Sequence, residues 1–164
     1  MSMSIGLKLN KVISSDILRD KFYSWETETN KSDDIYCLSS GFCSIVMAKH
    51  FEESEPIISE LSKSLNYDCT FIEEPKANHS EEDEETQFKF GWINSEIYLD
   101  NLKKIKIIID TNSEFFKNLN LSSEWSWYFD NKNEDTFSQD IINLIEVIEI
   151  GNEQGVSEIC YTVA

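Results

Sequence analysis

Apolar residues recur along this chain with two different periods, and this alternation limits the fold more than any other feature. Some segments place an apolar residue at every second position, as Ile5, Leu7 and Leu9 do, which is typical of a half-buried strand. Other segments repeat at helical spacing. A chain of 164 residues that mixes both periods predicts an α+β fold, in a single domain with a mixed β-sheet and helices packed on it.

The first half of the chain predicts the element order β-α-β-β-α-β, which is the order of a ferredoxin-like unit. Residues 36–48 are almost continuously apolar and predict two strands, although a helix that begins at Ser40 fits the same residues. The other predicted elements of this half are a strand at Ile5–Leu9, a helix from Ser14, a helix capped by Ser54 that buries Ile57, Ile58, Leu61 and Leu65, and a strand at 68–72.

The second half predicts the order β-α-α-β-α-β. Residues 96–109 fit two patterns, because Tyr98, Leu102, Ile105 and Ile109 have helical spacing whereas residues 104–107 alternate as a strand. The other predicted elements are a strand at 88–92, a short helix after the capping pair Thr111 and Glu114, a strand at 124–130, a helix from Thr136 that Gly151 ends, and a strand at 156–163.

An acidic segment separates the two halves. Residues 74–86 contain Pro75, almost no apolar residue and an unbroken run of carboxylates, so like-charge repulsion predicts an exposed loop. This loop is the one credible boundary in the chain, but each half alone is marginal in size, and we therefore predict one domain over residues 1–164. The acidic run consists of Glu81, Glu82, Asp83, Glu84 and Glu85.

The charge balance limits the partners that the chain can bind. Asp and Glu number 31 against 14 Lys and Arg, which gives a net charge of −17. A field of this sign repels nucleic acid and anionic lipid and attracts cationic proteins. With no signal peptide and no run of about 18 apolar residues, the sequence predicts a cytoplasmic protein that binds a basic protein partner, and neither nucleic acid nor membrane.

The residues that carry chemistry are few and scattered. The four cysteines form no C-x-x-C pair and lie in apolar stretches, which favours buried thiols over disulfides. A Cys43–His50 nucleophile pair is permitted but has no local signature, and the five glycines are isolated rather than clustered around a phosphate site. Residues 130–135 lack the glycine of a calcium loop. We therefore expect a non-catalytic protein with no cofactor and no metal.

Aromatic residues flanked by carboxylates are the best candidates for contact with a basic partner, because they combine buried area with hydrogen-bond acceptors for Arg and Lys. If residues 124–130 alternate as a strand, Trp125, Trp127 and Phe129 point inward. The predicted partner-binding residues are then Glu124, Tyr128 and Asp130 on the solvent face, Glu134 and Asp135 beside them, and the run Glu81, Glu82, Asp83, Glu84 and Glu85, which steers the partner.

In length, acidity and lack of catalytic motifs, the chain resembles the bacterial immunity proteins of contact-dependent growth inhibition and other polymorphic toxin systems. The resemblance implies an inhibitor that binds a basic toxin domain, often a nuclease, and occludes its active or substrate-binding surface. No motif carries a family residue over to this sequence. Two other classes stay open: a nucleic-acid mimic, and an enzyme or small-molecule binder with a pocket near His50 or Cys43.

Overall fold

Four antiparallel strands form the sheet in the computed structural model, which describes residues 5–11, 13, 35–47, 57–75, 91–112, 115–119, 125–129 and 136–163. The strands are β1 (Ile5–Leu9), β2 (Ile35–Cys37), β3 (Ile93–Asn94) and β4 (Glu158–Val163), in the order β2-β1-β4-β3. The α+β class is confirmed. The sheet is not mixed, because every pairing among the described strands is antiparallel.

The first and last strands of the chain are the central pair of this sheet. β1 pairs with β4 along its whole length, and Leu7 lies opposite Tyr161. Both side chains are buried, as the alternating pattern of Ile5–Leu9 predicts. The predicted strands at Ile5–Leu9 and 156–163 are thus confirmed, the second with its bounds at Glu158–Val163.

Helices cover the sheet and supply most of the core. They are α1 (Ser40–Met47), α2 (Ile57–Leu65), α3 (Ser95–Thr111), α4 (Ser126–Phe129) and α5 (Phe137–Glu153). Short 3₁₀ helices lie at Thr70–Glu73 and Phe115–Asn118. The two longest helices, α3 and α5, pack against each other, and the buried apolar residues of all elements join in one cluster. The predicted stripe of α2 is confirmed, since all four of its apolar residues are buried.

Residues 96–109 are helical, which decides the ambiguity in the sequence. Asn94 caps α3 through its side-chain oxygen, which accepts a hydrogen bond from the Ile97 amide at 3.0 Å. The stripe of Tyr98, Leu102, Ile105 and Ile109 is buried against the core. A capped helix that buries four large side chains outweighs a four-residue alternation at 104–107, where Lys104 and Ile107 lie exposed.

The last helix begins as predicted and ends later. The Thr136 hydroxyl accepts a hydrogen bond from the Gln139 amide, but α5 continues past Gly151 to Glu153. The turn comes at Gly155, whose φ of +95° favours glycine, and the Val156 amide donates to the Gly151 carbonyl at 2.9 Å. The prediction that Gly151 ends the helix is therefore wrong. Gly151 instead lets the chain fold back closely, since a Cβ there would lie 3.2 Å from Val156.

Two predicted strands in the first half are wrong. Within residues 36–47 the chain completes β2 and then forms helix α1, so the alternative with a helix from Ser40 is the correct one. Ser39 explains the choice, because its hydroxyl caps α1 by accepting a hydrogen bond from the Phe42 amide at 3.1 Å. Residues 68–72 enter a 3₁₀ helix instead of a strand. The described part of this half contains two strands, whereas the predicted order has four, and it does not have the ferredoxin-like order.

The region around Thr111 also differs from the prediction. The Thr111 hydroxyl donates to the carbonyl of Ile107 inside α3, so it does not cap a new helix. A 3₁₀ turn does follow at Phe115–Asn118, with Phe115 buried. The predicted helix from Ser14 and most of the predicted strand at 88–92 lie outside the described residues.

The start of the predicted acidic loop is anchored to the sheet. Pro75 is buried, and its carbonyl accepts a hydrogen bond from the Tyr161 amide of β4 at 2.9 Å. Glu74 beside it is exposed, as predicted for residues 74–86. The acidic run that follows lies outside the described residues.

Candidate functional site

The aromatic segment that the sequence singles out is a short helix, not a strand. Residues 126–129 form α4, and Tyr128 is fully buried together with Phe129. The prediction that Tyr128 faces solvent is therefore wrong, because helical geometry does not send alternate side chains to opposite faces. Phe129 is buried as predicted, and Trp125 is half-buried against both rings.

The Tyr128 hydroxyl takes part in a buried polar cluster that joins three helices. It donates to the carboxylate of Asp140 at 2.7 Å, and the Ser39 hydroxyl donates to the same carboxylate oxygen. Asp140 lies in the first turn of α5, where the helix dipole favours negative charge. Ser39 meanwhile caps α1. The cluster of Ser39, Tyr128 and Asp140 thus ties the start of α1 and helix α4 to the start of α5.

Gly41 makes room for this cluster. A Cβ at Gly41 would lie 2.4 Å from two ring carbons of Tyr128, which is far inside van der Waals contact. The tyrosine ring therefore packs directly against the first turn of α1, and any larger residue at position 41 would displace it. This close approach accounts for the glycine inside the apolar stretch 36–48.

The cluster is suited to hold structure together rather than to perform chemistry. Burial raises the pKa of Tyr128 well above its usual value, and the neighbouring Asp140 charge raises it further. The phenol accordingly remains protonated and continues to donate. The Ser39 hydroxyl is engaged twice, as a donor to Asp140 and as an acceptor from the Phe42 amide.

Buried thiols account for three of the four cysteines. Cys43, Cys69 and Cys160 are buried outside any disulfide, as the sequence predicts, and the Cys37 side chain lies outside the described part. Burial raises the pKa of Cys69 and of Cys160 to about 11, so both thiols stay protonated near neutral pH. Cys43 donates to the carbonyl of Leu38 at 3.7 Å. His50, its candidate partner, lies outside the described residues.

A second buried hydroxyl network lies beneath the sheet. Tyr161 of β4 donates to the carbonyl of Ile72 at 2.6 Å, and because that uses its only proton, the Tyr98 hydroxyl donates to Tyr161. Burial raises the pKa of both phenols well above their usual value. The network supplies a hydrogen-bond donor to the buried Ile72 carbonyl in the 3₁₀ helix at Thr70–Glu73, and it holds that helix against α3 and β4.

One exposed feature combines an aromatic ring with carboxylates, which is the combination predicted for a partner-binding surface. We call it the Tyr67 surface, and it comprises Tyr67, Asp68, Asp100 and Asn101. Tyr67 is half-buried beyond the end of α2, and its hydroxyl donates to the side-chain oxygen of Asn101 on α3. Asp68 and Asp100 are exposed beside it.

The electrostatics of the Tyr67 surface favour cations. Burial raises the pKa of Tyr67, and this pKa is raised further by the Cys69 thiolate, which forms only at high pH, and by the carboxylates of Asp68 and Asp100. Hydrogen bonds from the Thr70 amide at 3.0 Å and hydroxyl at 2.8 Å lower the pKa of Asp68, which therefore stays ionised. An ionised carboxylate beside an aromatic face is the environment that an Arg or Lys side chain prefers.

The Tyr67 surface could not be predicted from the sequence because its residues come from separate elements. Tyr67 follows Asn66, whose φ of +50° turns the chain at the end of α2, whereas Asp100 and Asn101 lie on α3. An aromatic residue between Asn and Asp after an amphipathic helix was the one local signal. Of the predicted partner-binding residues the structure describes Tyr128 alone; outside its described ranges lie Glu124, Asp130, Glu134, Asp135, Glu81, Glu82, Asp83, Glu84 and Glu85.

Comparisons with protein-family models, with curated proteins and with solved structures found no match to this chain. Within the described ranges, no three His, Cys, Asp or Glu side chains are grouped so that they could hold a metal ion. None of the helices described here has both the length and the apolar character needed to cross a membrane.

Proposed function

We propose that this chain is an immunity-type protein, which binds a basic toxin domain and neutralises it by covering its active or substrate-binding surface. The observation that carries the proposal is the net charge of −17, which is spread over both halves of the chain rather than confined to a tail. Such a field raises the association rate with a cationic protein, whereas it repels nucleic acid and other anionic partners.

The Tyr67 surface supports the proposal as a place where a basic partner can dock. Tyr67 is already fixed, because its ring packs edge-on against Phe71 with centroids 6.5 Å apart and its hydroxyl is bonded to Asn101. A fixed ring loses little entropy on binding. Asp68 and Asp100 add two exposed carboxylates that can accept hydrogen bonds from Arg or Lys.

The test begins with affinity capture by the immobilised protein from extracts of its source cell, eluted with a salt gradient. We expect one basic protein that elutes only at high salt, and whose enzymatic activity the purified chain inhibits at a one-to-one ratio. Capture alone is not sufficient, because any acidic surface retains basic proteins weakly. Inhibition at a one-to-one ratio is the result that supports the proposal.

Matched variants then test the surface. Asp68→Asn removes the charge but keeps an oxygen that can accept from Thr70, and Tyr67→Ala removes the ring. Lys63→Ala, on the exposed side of α2, is the control. We expect Tyr67→Ala to raise the dissociation constant about tenfold or more and Asp68→Asn to raise it severalfold, in line with the usual cost of truncating an interface aromatic or charge. If no captured protein is inhibited at one-to-one ratio, the proposed function is wrong.

A further inference from the structure

Two isoleucines are exposed on the outer face of α3. Ile97 is 62% exposed and Ile107 is 63% exposed, and they are the large hydrophobic side chains that remain open to solvent in the described part of the chain. They lie ten residues apart on one helix, which corresponds to about 15 Å along its axis. Ile97 and Ile107 are therefore two separate apolar contact points on α3, and the exposed charges of Asp100 and Lys104 lie between them along the helix.

The charges on this helix sum to zero, in contrast with the chain as a whole. The helix carries three carboxylates and three lysines, whereas the complete chain carries a net charge of −17. The carboxylates are Glu96, Asp100 and Asp110, and the lysines are Lys103, Lys104 and Lys106. Lys103 is paired with Glu149 on α5 at 2.8 Å, and Lys106 with Asp110 at 2.7 Å.

The remaining charges are the ones available to a partner. In the described structure, Glu96, Asp100 and Lys104 are exposed and form no ion pair. The acidic pair lies in the first two turns of α3, and the lysine lies further toward its C-terminus. The outer face of α3 is therefore negative at one end and positive beyond it.

We propose that the outer face of α3 is a self-association surface, on which two copies of this chain pack α3 against α3 in antiparallel orientation about a two-fold axis. Leu102 marks the midpoint of the arrangement. Ile97 and Ile107 are each five residues from it, and Asp100 and Lys104 are each two residues from it. Antiparallel packing brings Ile97 of one copy toward Ile107 of the other, and Asp100 toward Lys104, and the two-fold axis repeats both contacts.

The same charges favour a second copy of this chain over an unrelated partner on this face. Because Asp100 also belongs to the Tyr67 surface, self-association and the binding of a basic partner at that surface exclude each other. Two chains of −17 repel wherever their net charge decides the contact. On α3 the local charge is zero and its polarity is self-complementary when one helix is reversed. At physiological salt the Debye length is about 8 Å, so the more distant carboxylates are largely screened while contacts across the helices persist.

The size of the surface sets the strength of the dimer. A 17-residue helix is about 25 Å long, and its outer face offers less than the roughly 800 Å² per partner of a standard stable interface. We therefore expect a micromolar rather than a nanomolar dissociation constant. Self-association should also strengthen when salt is raised from a few millimolar to physiological concentration, because screening relieves the repulsion between the two acidic chains.

Sedimentation velocity over a wide range of protein concentrations tests the proposal. We expect the wild-type chain to shift from monomer to dimer as concentration rises. Asp100→Lys alone and Lys104→Asp alone each place like charges opposite each other at both symmetry-related contacts, and should raise the dissociation constant at least tenfold. An equimolar mixture of the two variants restores opposite charges at both contacts and should recover the dimer.

The controls separate a lost surface from a lost fold. Lys63→Asp reverses an exposed charge on α2, and we expect it to leave the dissociation constant unchanged. Ile97→Asp and Ile107→Asp should each abolish the dimer while circular dichroism and the melting temperature stay near those of the wild type. A monomer at all concentrations overturns the proposal, and so does a dimer that all the α3 variants leave intact or one that the mixture fails to restore.

Discussion

We expect the hydrogen bond between Tyr128 and Asp140 to contribute more to the free energy of unfolding than any other side-chain hydroxyl bond in the described structure. A conservative substitution can remove it. Tyr128→Phe deletes the phenol oxygen and leaves the ring in place on Gly41. The lost bond is 2.7 Å long, buried, and made to a carboxylate. A hydrogen bond to a charged group contributes about 1.5–3 kcal/mol to the free energy of unfolding. For a domain of this size that corresponds to a melting temperature lower by roughly 3–12 °C.

The assay is urea denaturation followed by tryptophan fluorescence and circular dichroism, with a double-mutant cycle that adds Asp140→Asn. Because both substitutions act on one bond, we expect a coupling energy of at least about 1 kcal/mol. Tyr67→Phe is the control, since its hydroxyl bonds to Asn101 at a half-exposed site and should cost well under 1 kcal/mol. Equal losses for the two tyrosines, or no coupling in the cycle, would refute this view of the cluster.

Two further predictions follow from packing and from the thiols. Gly41→Ala places a methyl group 2.4 Å from the ring of Tyr128, and we expect it to lower the free energy of unfolding by about 1–3 kcal/mol or more, measured by the same urea titration; a neutral result would mean that the ring does not pack there. Cys69 and Cys160, with pKa values of about 11 against the usual 9, should react with iodoacetamide at pH 8 about 100-fold more slowly in the native protein than in concentrated urea, because fewer thiolates form below the raised pKa. Equal rates in peptide-resolved mass spectrometry would contradict that.

Helices with a capping residue and an apolar stripe were predictable from the sequence. Thr136 and Gln139 predicted the start of α5, and Ile57, Ile58, Leu61 and Leu65 predicted the buried face of α2. These signals are local, because each capping bond joins residues three apart in the chain and each stripe repeats every turn. The α+β class follows from the same local patterns.

The strands were harder to predict, because short apolar runs fit both periods. Residues 124–130 alternate in sequence, yet Ser126–Phe129 form helix α4, because the Tyr128 hydroxyl bonds to Asp140 and its ring packs on Gly41 only in the folded molecule. The order of the sheet could not be predicted either. It places the first strand beside the last, a pairing between residues more than 140 positions apart.

The candidate surface shows the same limit. Tyr67 and Asp68 are adjacent in the chain, but Asp100 and Asn101 join them only because α3 packs beside the end of α2. Composition predicted the type of surface, an aromatic ring among carboxylates, and placed it on another segment. The fold determines which aromatic residue stays near solvent.

We propose that excess negative charge drives the association of this chain with a basic protein. The most direct test of this proposal is the association rate constant of the purified complex, measured by stopped-flow fluorescence from low to high salt. We expect the rate constant to fall steeply as salt is added, because screening shortens the reach of the attractive field. A rate that stays constant across the same salt range would contradict it.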